Sequence, residues 1–195
     1  MDVDRQATPE LPTNLTEIKH LTECLQQQTQ VANLCTDVSL ALARQPCLRA
    51  FLHHCVDALL VHIPLAWVGI WLYEPARHGF VPLARASRAL NSHNGEYDLP
   101  VGAQTVAKIA TSRQRLLSQE AQRDVLLHPE ERAWAQREGM SVFVGYPLLV
   151  ENRVVGVLAL FASELLPAVY LDTLGSLALI IGLAIERLPV QEELP

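Results

Sequence analysis

The hydrophobic period of this chain changes abruptly at Pro64, and that change limits what the chain can fold into. Before it, Leu48, Phe51, Leu52, Cys55, Val56, Leu59, Leu60 and Ile63 recur on one stripe of a helix over 47–63. After it, 65–73 (LAWVGIWLY) and 80–87 (FVPLARAS) have the aromatic and branched residues and the period of two that strands use. The short link 74–79 makes them an antiparallel hairpin. The same period returns in 141–150 and 153–161, joined by Glu151-Asn152 as a tight turn. A further short strand is expected at 115–118.

Helices occupy the remaining segments. A short one over 102–111 turns Val106, Ile109 and Ala110 inward. Another starts at His128-Pro129-Glu130-Glu131, where proline fits the first turn and the glutamates favour the positive end of the helix. Gly139 ends it. The chain closes with an apolar helix over 167–187. Near the start, 15–43 carries a weak seven-residue repeat. Ile18, Leu25, Ala32 and Ser39 share one position, and Leu21, Gln28, Cys35 and Leu42 share the other. Hairpins flanked by helices at both chain ends predict an α+β fold, an antiparallel sheet of five to six strands. The long terminal helices should cover one face, and the short helices and loops should lie over a pocket on the other. The polar stretch 88–98 (RALNSHNGEYD) is the candidate lid. The expected organisation is a disordered tail (1–14), a signalling and dimerisation helix (15–46), the domain (47–187) and a tail (188–195).

Composition removes several functions. The 195 residues, half of them hydrophobic and 18% charged, suffice for one packed domain with an extra helix. A net charge of −6 supplies no field for a phosphate backbone, so nucleic acid is not expected as a partner. Cys24, Cys35, Cys47 and Cys55 all precede residue 56 without a CxxC pair, and MDVDRQATPELP has no signal-peptide pattern. These features suggest the cytoplasm. The run 168–185 approaches the length of a membrane span, but Asp172 interrupts it, Pro167 precedes it and no Lys/Arg cluster flanks it. Direct membrane insertion is therefore not expected. A helix apolar on several sides can instead be buried twice, against its own sheet and against a second subunit. Leu174, Leu177, Ile181 and Ile185 form the stripe assigned to that second subunit, beside Leu21, Leu25 and Cys35 of the first helix, in a homodimer.

The sequence resembles a GAF domain over about 47–187. The resemblance rests on Gly145-Tyr146-Pro147-Leu148, on 153–160 (RVVGVLAL), on Ala184-Ile185-Glu186-Arg187 in the closing helix, on Leu99-Pro100-Val101-Gly102, and on Ile70-Trp71-Leu72-Tyr73. It implies a sensory module that binds a small ligand and signals through helical dimerisation to an output domain such as a histidine kinase or transcriptional activator. No kinase, helix-turn-helix or cyclase motif is present to serve as that output. Gly156 and Pro147 suit a sheet with one face hollowed for a ligand. The segment 67–161 contains no cysteine. Covalent bilin attachment is therefore not expected there, nor is the thiol chemistry of the free methionine sulfoxide reductases that share the fold.

Trp71, Tyr73, His93, Tyr97, Thr105 or its neighbour Gln104, Trp134 and Phe143 are the candidate ligand-binding residues, giving aromatic walls with a few polar groups beside a helix N-terminus. The alternative for Trp71, Trp134 and Phe143 is to fill the core. No phosphate loop, nucleophile elbow or metalloprotease motif appears, so no enzyme activity and no metal site are expected. His93 and His128 are lone candidates for a haem or iron ligand, a weaker alternative than an organic or anionic ligand. The remaining alternative is a dimerising relay with a vestigial pocket.

Overall fold

The computed structural model describes residues 11–88 and 100–189. The elements are α1 (Leu11–Arg44), α2 (Leu48–His62), β1 (Trp67–Glu74), β2 (Gly79–Ser87), α3 (Ala103–Ser112), β3 (Leu116–Ser118), α4 (Pro129–Arg137), β4 (Val142–Val150), β5 (Arg153–Ala162) and α5 (Ala168–Arg187), with a 3-10 turn (Pro75–Arg77) between β1 and β2. The first helix begins at Leu11, inside the expected disordered tail. Pro12 does not prevent this, because the first turn of a helix has no N–H acceptor to lose. The expected lid, 88–98, lies outside the described residues except at Arg88.

Five strands form one antiparallel sheet in the order β2-β1-β5-β4-β3. The β4–β5 turn places Glu151 and Asn152 both at positive φ, 44° and 69°, which asparagine tolerates and which matches the twist of a two-residue hairpin. Pro147 lies where β3, paired only with Phe143 to Gly145, has already ended, so a missing donor on that side costs no ladder bond.

One face of the sheet carries α1, α2 and α5. Val68, Ile70, Val144, Leu148, Leu158 and Leu160 meet Leu52, Leu59, Leu174, Leu177 and Ile181 there. This corrects the expected interface on α5. Leu174, Leu177 and Ile181 are buried in the chain's own core and Ile185 is half-buried against it, while Leu179 and Leu183 are the exposed leucines of that helix. Helix α5 is long and apolar enough to cross a membrane, but it presents its buried stripe to the sheet. The Tyr146 hydroxyl donates to Leu171 O at 2.7 Å and ties the first turns of α5 to β4.

Gly156 also serves this face rather than a ligand hollow. A Cβ there would stand 2.4 Å from Trp71 O, 3.0 Å from Leu148 Cδ1 and 3.5 Å from Ile185 Cδ1. Glycine permits the close approach of β1, β4 and α5.

Burial pushes the Cys55 thiol up from 9.0 to about 12, and burial also raises Tyr146 despite the opposing Arg115 guanidinium. The folded state thus keeps the Cys55 proton at a pH where the unfolded thiol has lost it. The resulting stability is fully present below pH 9 and is lost as pH rises from 9 towards about 12. Urea unfolding should show a lower midpoint at pH 10.5 than at pH 8, with a shallower decline in Cys55→Ala. Equal midpoints at the two pH values would contradict this.

Candidate functional site

On the other face of the sheet, Gly69 pairs with Ala159 and Ala159 with Gly145, which leaves a row without large side chains across three strands. The chain fills this trough itself. Trp67 and Trp71 lean together over Gly69 with centroids 5.8 Å apart, close enough that a Cβ on Gly69 would lie 2.5 Å from the Trp67 ring. Ile109 descends from α3 onto Gly145, where a Cβ would meet its Cδ1 at 2.4 Å. Phe143, Phe161 and Trp134 continue the layer, with Phe161 4.9 Å from Phe143 and 5.0 Å from Trp134.

Trp71 and Phe143 are therefore core residues beneath the site, both buried. Sequence reading missed the trough, although small residues at same-face positions of neighbouring strands could have signalled it. Tyr73 sits towards the far end of β1, exposed and edge-on to Phe80 at 5.3 Å, away from the other candidates. His93 and Tyr97 lie outside the described residues.

Above the aromatic layer, α3 and α4 bound an open-sided groove of about 600 Å³, lined among others by Pro100, Gln104, His128, Trp134 and Arg137. A smaller recess of about 270 Å³ shares Gln104 and His128 with it and adds Lys108 and Arg132. Lys108 donates to Leu126 O at 2.9 Å, and Arg137 lies 3.4 Å from Glu138. Of the predicted residues, the structure brings Gln104 and Trp134 together here, with His128 at the N-cap of α4. No group of three or more His, Cys, Asp or Glu side chains suited to a metal occurs among the described residues.

Glu131 fixes the walls of the groove. Its Oε1 accepts from Gly102 N at 2.7 Å, and its Oε2 accepts from the Thr105 hydroxyl at 2.6 Å and from His128 N at 2.8 Å. One buried carboxylate thus caps two helix N-termini, each of which favours negative charge. Thr105 is buried, and its hydroxyl donates to this carboxylate. Glu131→Ala strands three donors and should cost about 2 kcal/mol. Thr105→Val, which removes one donor and its bond, should cost about 1 kcal/mol. Chemical denaturation of both variants checks the ranking, and an Ala variant as stable as the parent would remove Glu131 from this role.

The GAF domain profile matches residues 47–186, and the chain belongs to that family. No curated protein sequence matches it. Among solved structures, the A. aeolicus nlh2 GAF domain in an inactive state is similar at TM-score 0.65 and 13% identity, covering 82% of this chain and 98% of that one. The GAF domain of a phosphoenolpyruvate-protein phosphotransferase from Coxiella burnetii is similar at TM-score 0.60 and 13% identity, covering 80% and 94%. The free methionine-R-sulfoxide reductase from Neisseria meningitidis in complex with its substrate is similar at TM-score 0.59 and 17% identity, covering 79% and 86%. The shared fold is that of a general ligand-binding and signalling module, and some of its relatives are enzymes.

Proposed function

We propose that this chain is a cytoplasmic GAF signal-relay module that acts as a homodimer through its first helix and passes a conformational signal to an output domain such as a histidine kinase or transcriptional activator. The observation that carries the reading is the outer stripe of α1. Leu15, Ile18, Leu21 and Leu25 are between 58% and 64% exposed, and only from Gln27 onward does the helix begin to bury side chains against α2 and α5. The exposed turns from Leu15 to Gln26 are marginal in water unless something covers their apolar side.

The path of the chain supports a relay. His62 Nε2 lies 2.7 Å from Asp37 Oδ2 and fastens α2 to α1. Leu48 N, the first donor of α2, is satisfied by Pro189 O at 3.0 Å, since Cys47 offers no side-chain cap. The chain therefore leaves α5 where α1 turns into α2, and displacement of α1 acts directly on the exit. Light scattering at micromolar concentration tests the reading. A mass twice the chain's 21.6 kDa is expected, and a monomer would count against it.

The α3–α4 groove favours a second reading, in which the module also senses a small anionic ligand. Trp134 and Arg137 line the groove beside Glu130 and Glu131, and Lys108 and Arg132 of the adjoining recess add cations. Enzyme activity is not part of either reading. The reductase relatives share the fold, but 67–161 of this chain holds no thiol. A ligand at 100 times its Kd should stabilise the protein by about 2.7 kcal/mol and perturb Trp134 fluorescence. A thermal-shift screen without a stabilising compound would leave the relay alone.

A further inference from the structure

We infer that the cleft between α1 and the β5–α5 corner (163–167) binds a small organic cation, an ammonium or guanidinium group on a short hydrocarbon stem. The cleft lies on the opposite face of the sheet from the α3–α4 groove and apart from the outer stripe of α1, and it needs neither a groove ligand nor a dimer.

Its volume is about 270 Å³, near the lower end for a ligand site and suited to a molecule of few heavy atoms. Glu23 and Gln27, four residues apart on α1 and so on one face of it, form one wall. Glu164 and Leu165 of the corner form the other, and Pro64 borders them. Each wall thus contributes a carboxylate. Both glutamates are exposed, and neither takes part in an ion pair among the described residues. No Lys, Arg or His lines the cleft, and Lys19 and His20, one turn back from Glu23, make no ion pair with it. The negative charge of the cleft is therefore not neutralised from within the described chain.

Tyr170 points independently to a ligand. It is only 6% exposed, it packs with the core beneath, and it lines the cleft. Its hydroxyl has no hydrogen-bond partner among the described residues, whereas the Tyr146 hydroxyl on the same face donates to Leu171 O. Burial alone raises the Tyr170 pKa, with no neighbouring charge or hydrogen bond acting on the phenol. A buried hydroxyl without a partner is costly unless something outside the chain satisfies it. Ser118 Oγ is the one unpartnered side-chain oxygen sealed from solvent among the described residues. The Tyr170 hydroxyl therefore keeps an opening, and the cleft is where Tyr170 meets one.

The groups around the cleft select the ligand. The two carboxylates accept hydrogen bonds only, and the Gln27 carbonyl and the Tyr170 oxygen can also accept them. A cation rich in N–H groups satisfies this set, while an anion would meet two negative charges. A bare metal ion fits less well. No group of three or more His, Cys, Asp or Glu is present among the described residues, and hard cations take six or more oxygens. Leu165 and Pro64 instead offer apolar surface to a hydrocarbon stem. Bound there, the cation ties the exposed turns of α1 to the corner from which α5 starts.

Calorimetric titration of the full chain with butylguanidinium, at constant ionic strength, tests the assignment against butylurea, its neutral isostere. Butylguanidinium should bind saturably with a Kd of about 1 mM or tighter, and butylurea at least about tenfold more weakly. Glu23→Gln and Glu164→Gln change exposed side chains and leave the fold intact, and each should weaken binding about tenfold. Tyr170→Phe keeps the ring and should weaken it about threefold. Hydrogen exchange over 15–27 should slow when the cation is bound. Equal binding of butylurea, an affinity unchanged in either glutamate variant, or protection over α3 and α4 instead of α1 would overturn the site. Capped Gly-Arg-Gly distinguishes the source of the cation. Binding tighter than that of butylguanidinium would give the cleft to an arginine of another protein and overturn the free ligand.

Discussion

Gly156→Ala is expected to lower the stability of the domain by about 3 kcal/mol or more and its melting temperature by about 10 °C. The added methyl would lie 2.4 Å from Trp71 O, a backbone atom in the middle of the sheet, so no side-chain rotation relieves it. Strands β1 and β5 must part, or β5 must shift against α5. Two other glycines provide the scale. Gly139 sits at φ +70° with nothing within 4 Å, so alanine there bears only the left-handed backbone strain of about 1–2 kcal/mol. Gly79 has only Arg77 O at 3.6 Å, an ordinary contact, and alanine there should change stability by less than about 0.5 kcal/mol. Thermal melts of the three variants should rank in that order. Gly156→Ala melting with Gly79→Ala would show that the strands yield more easily than the geometry implies.

These glycines also mark how far the sequence can be read. The change of period at Pro64, the paired strands around Glu151-Asn152 and the helix start at His128-Pro129 are local signals, and each element appears within a few residues of its expected place. The use of each face is not local. Gly156 was legible as a site of close approach, but whether the approach came from a ligand or from β1 and α5 depended on which side of the sheet its missing Cβ points. The stripe of α5 failed for a related reason. A helix apolar on several sides offers more than one plausible buried face, and only the sheet selects Leu174, Leu177 and Ile181 for the core and leaves Leu179 and Leu183 outside.

The site was legible as a neighbourhood rather than as a set of groups. Trp134 and Gln104 do border the groove, and the N-terminus of α3 does face it. Glu131, by contrast, reads in sequence as a first-turn charge, while its bond to Gly102 N spans 29 residues and no periodicity reveals it. Trp71 and Phe143 have the composition of a binding wall and the burial of a core. What distinguishes the two is the trough of Gly69, Ala159 and Gly145, which takes the large side chains in and leaves little room beneath the groove.

Leu21→Asp combined with Leu25→Asp is expected to abolish the dimer while leaving the domain folded. Both side chains are exposed in the single chain, so the substitution removes no packing from its core. In the paired helices, the two sites would bring four carboxylates into adjacent layers of an apolar seam, where each must be desolvated beside a like charge. A loss of about 4 kcal/mol or more in association corresponds to about a thousandfold or larger rise in Kd. Light scattering should then report a monomer, circular dichroism a modest loss of helix as the unsupported turns of α1 fray, and tryptophan fluorescence an unchanged core. Leu174→Asp is the counterpart, because it places a charge at a fully buried position and should unfold the protein rather than dissociate it. If Leu21→Asp/Leu25→Asp stayed dimeric, or if Leu174→Asp gave a folded monomer, the interface would have to move from α1 to α5.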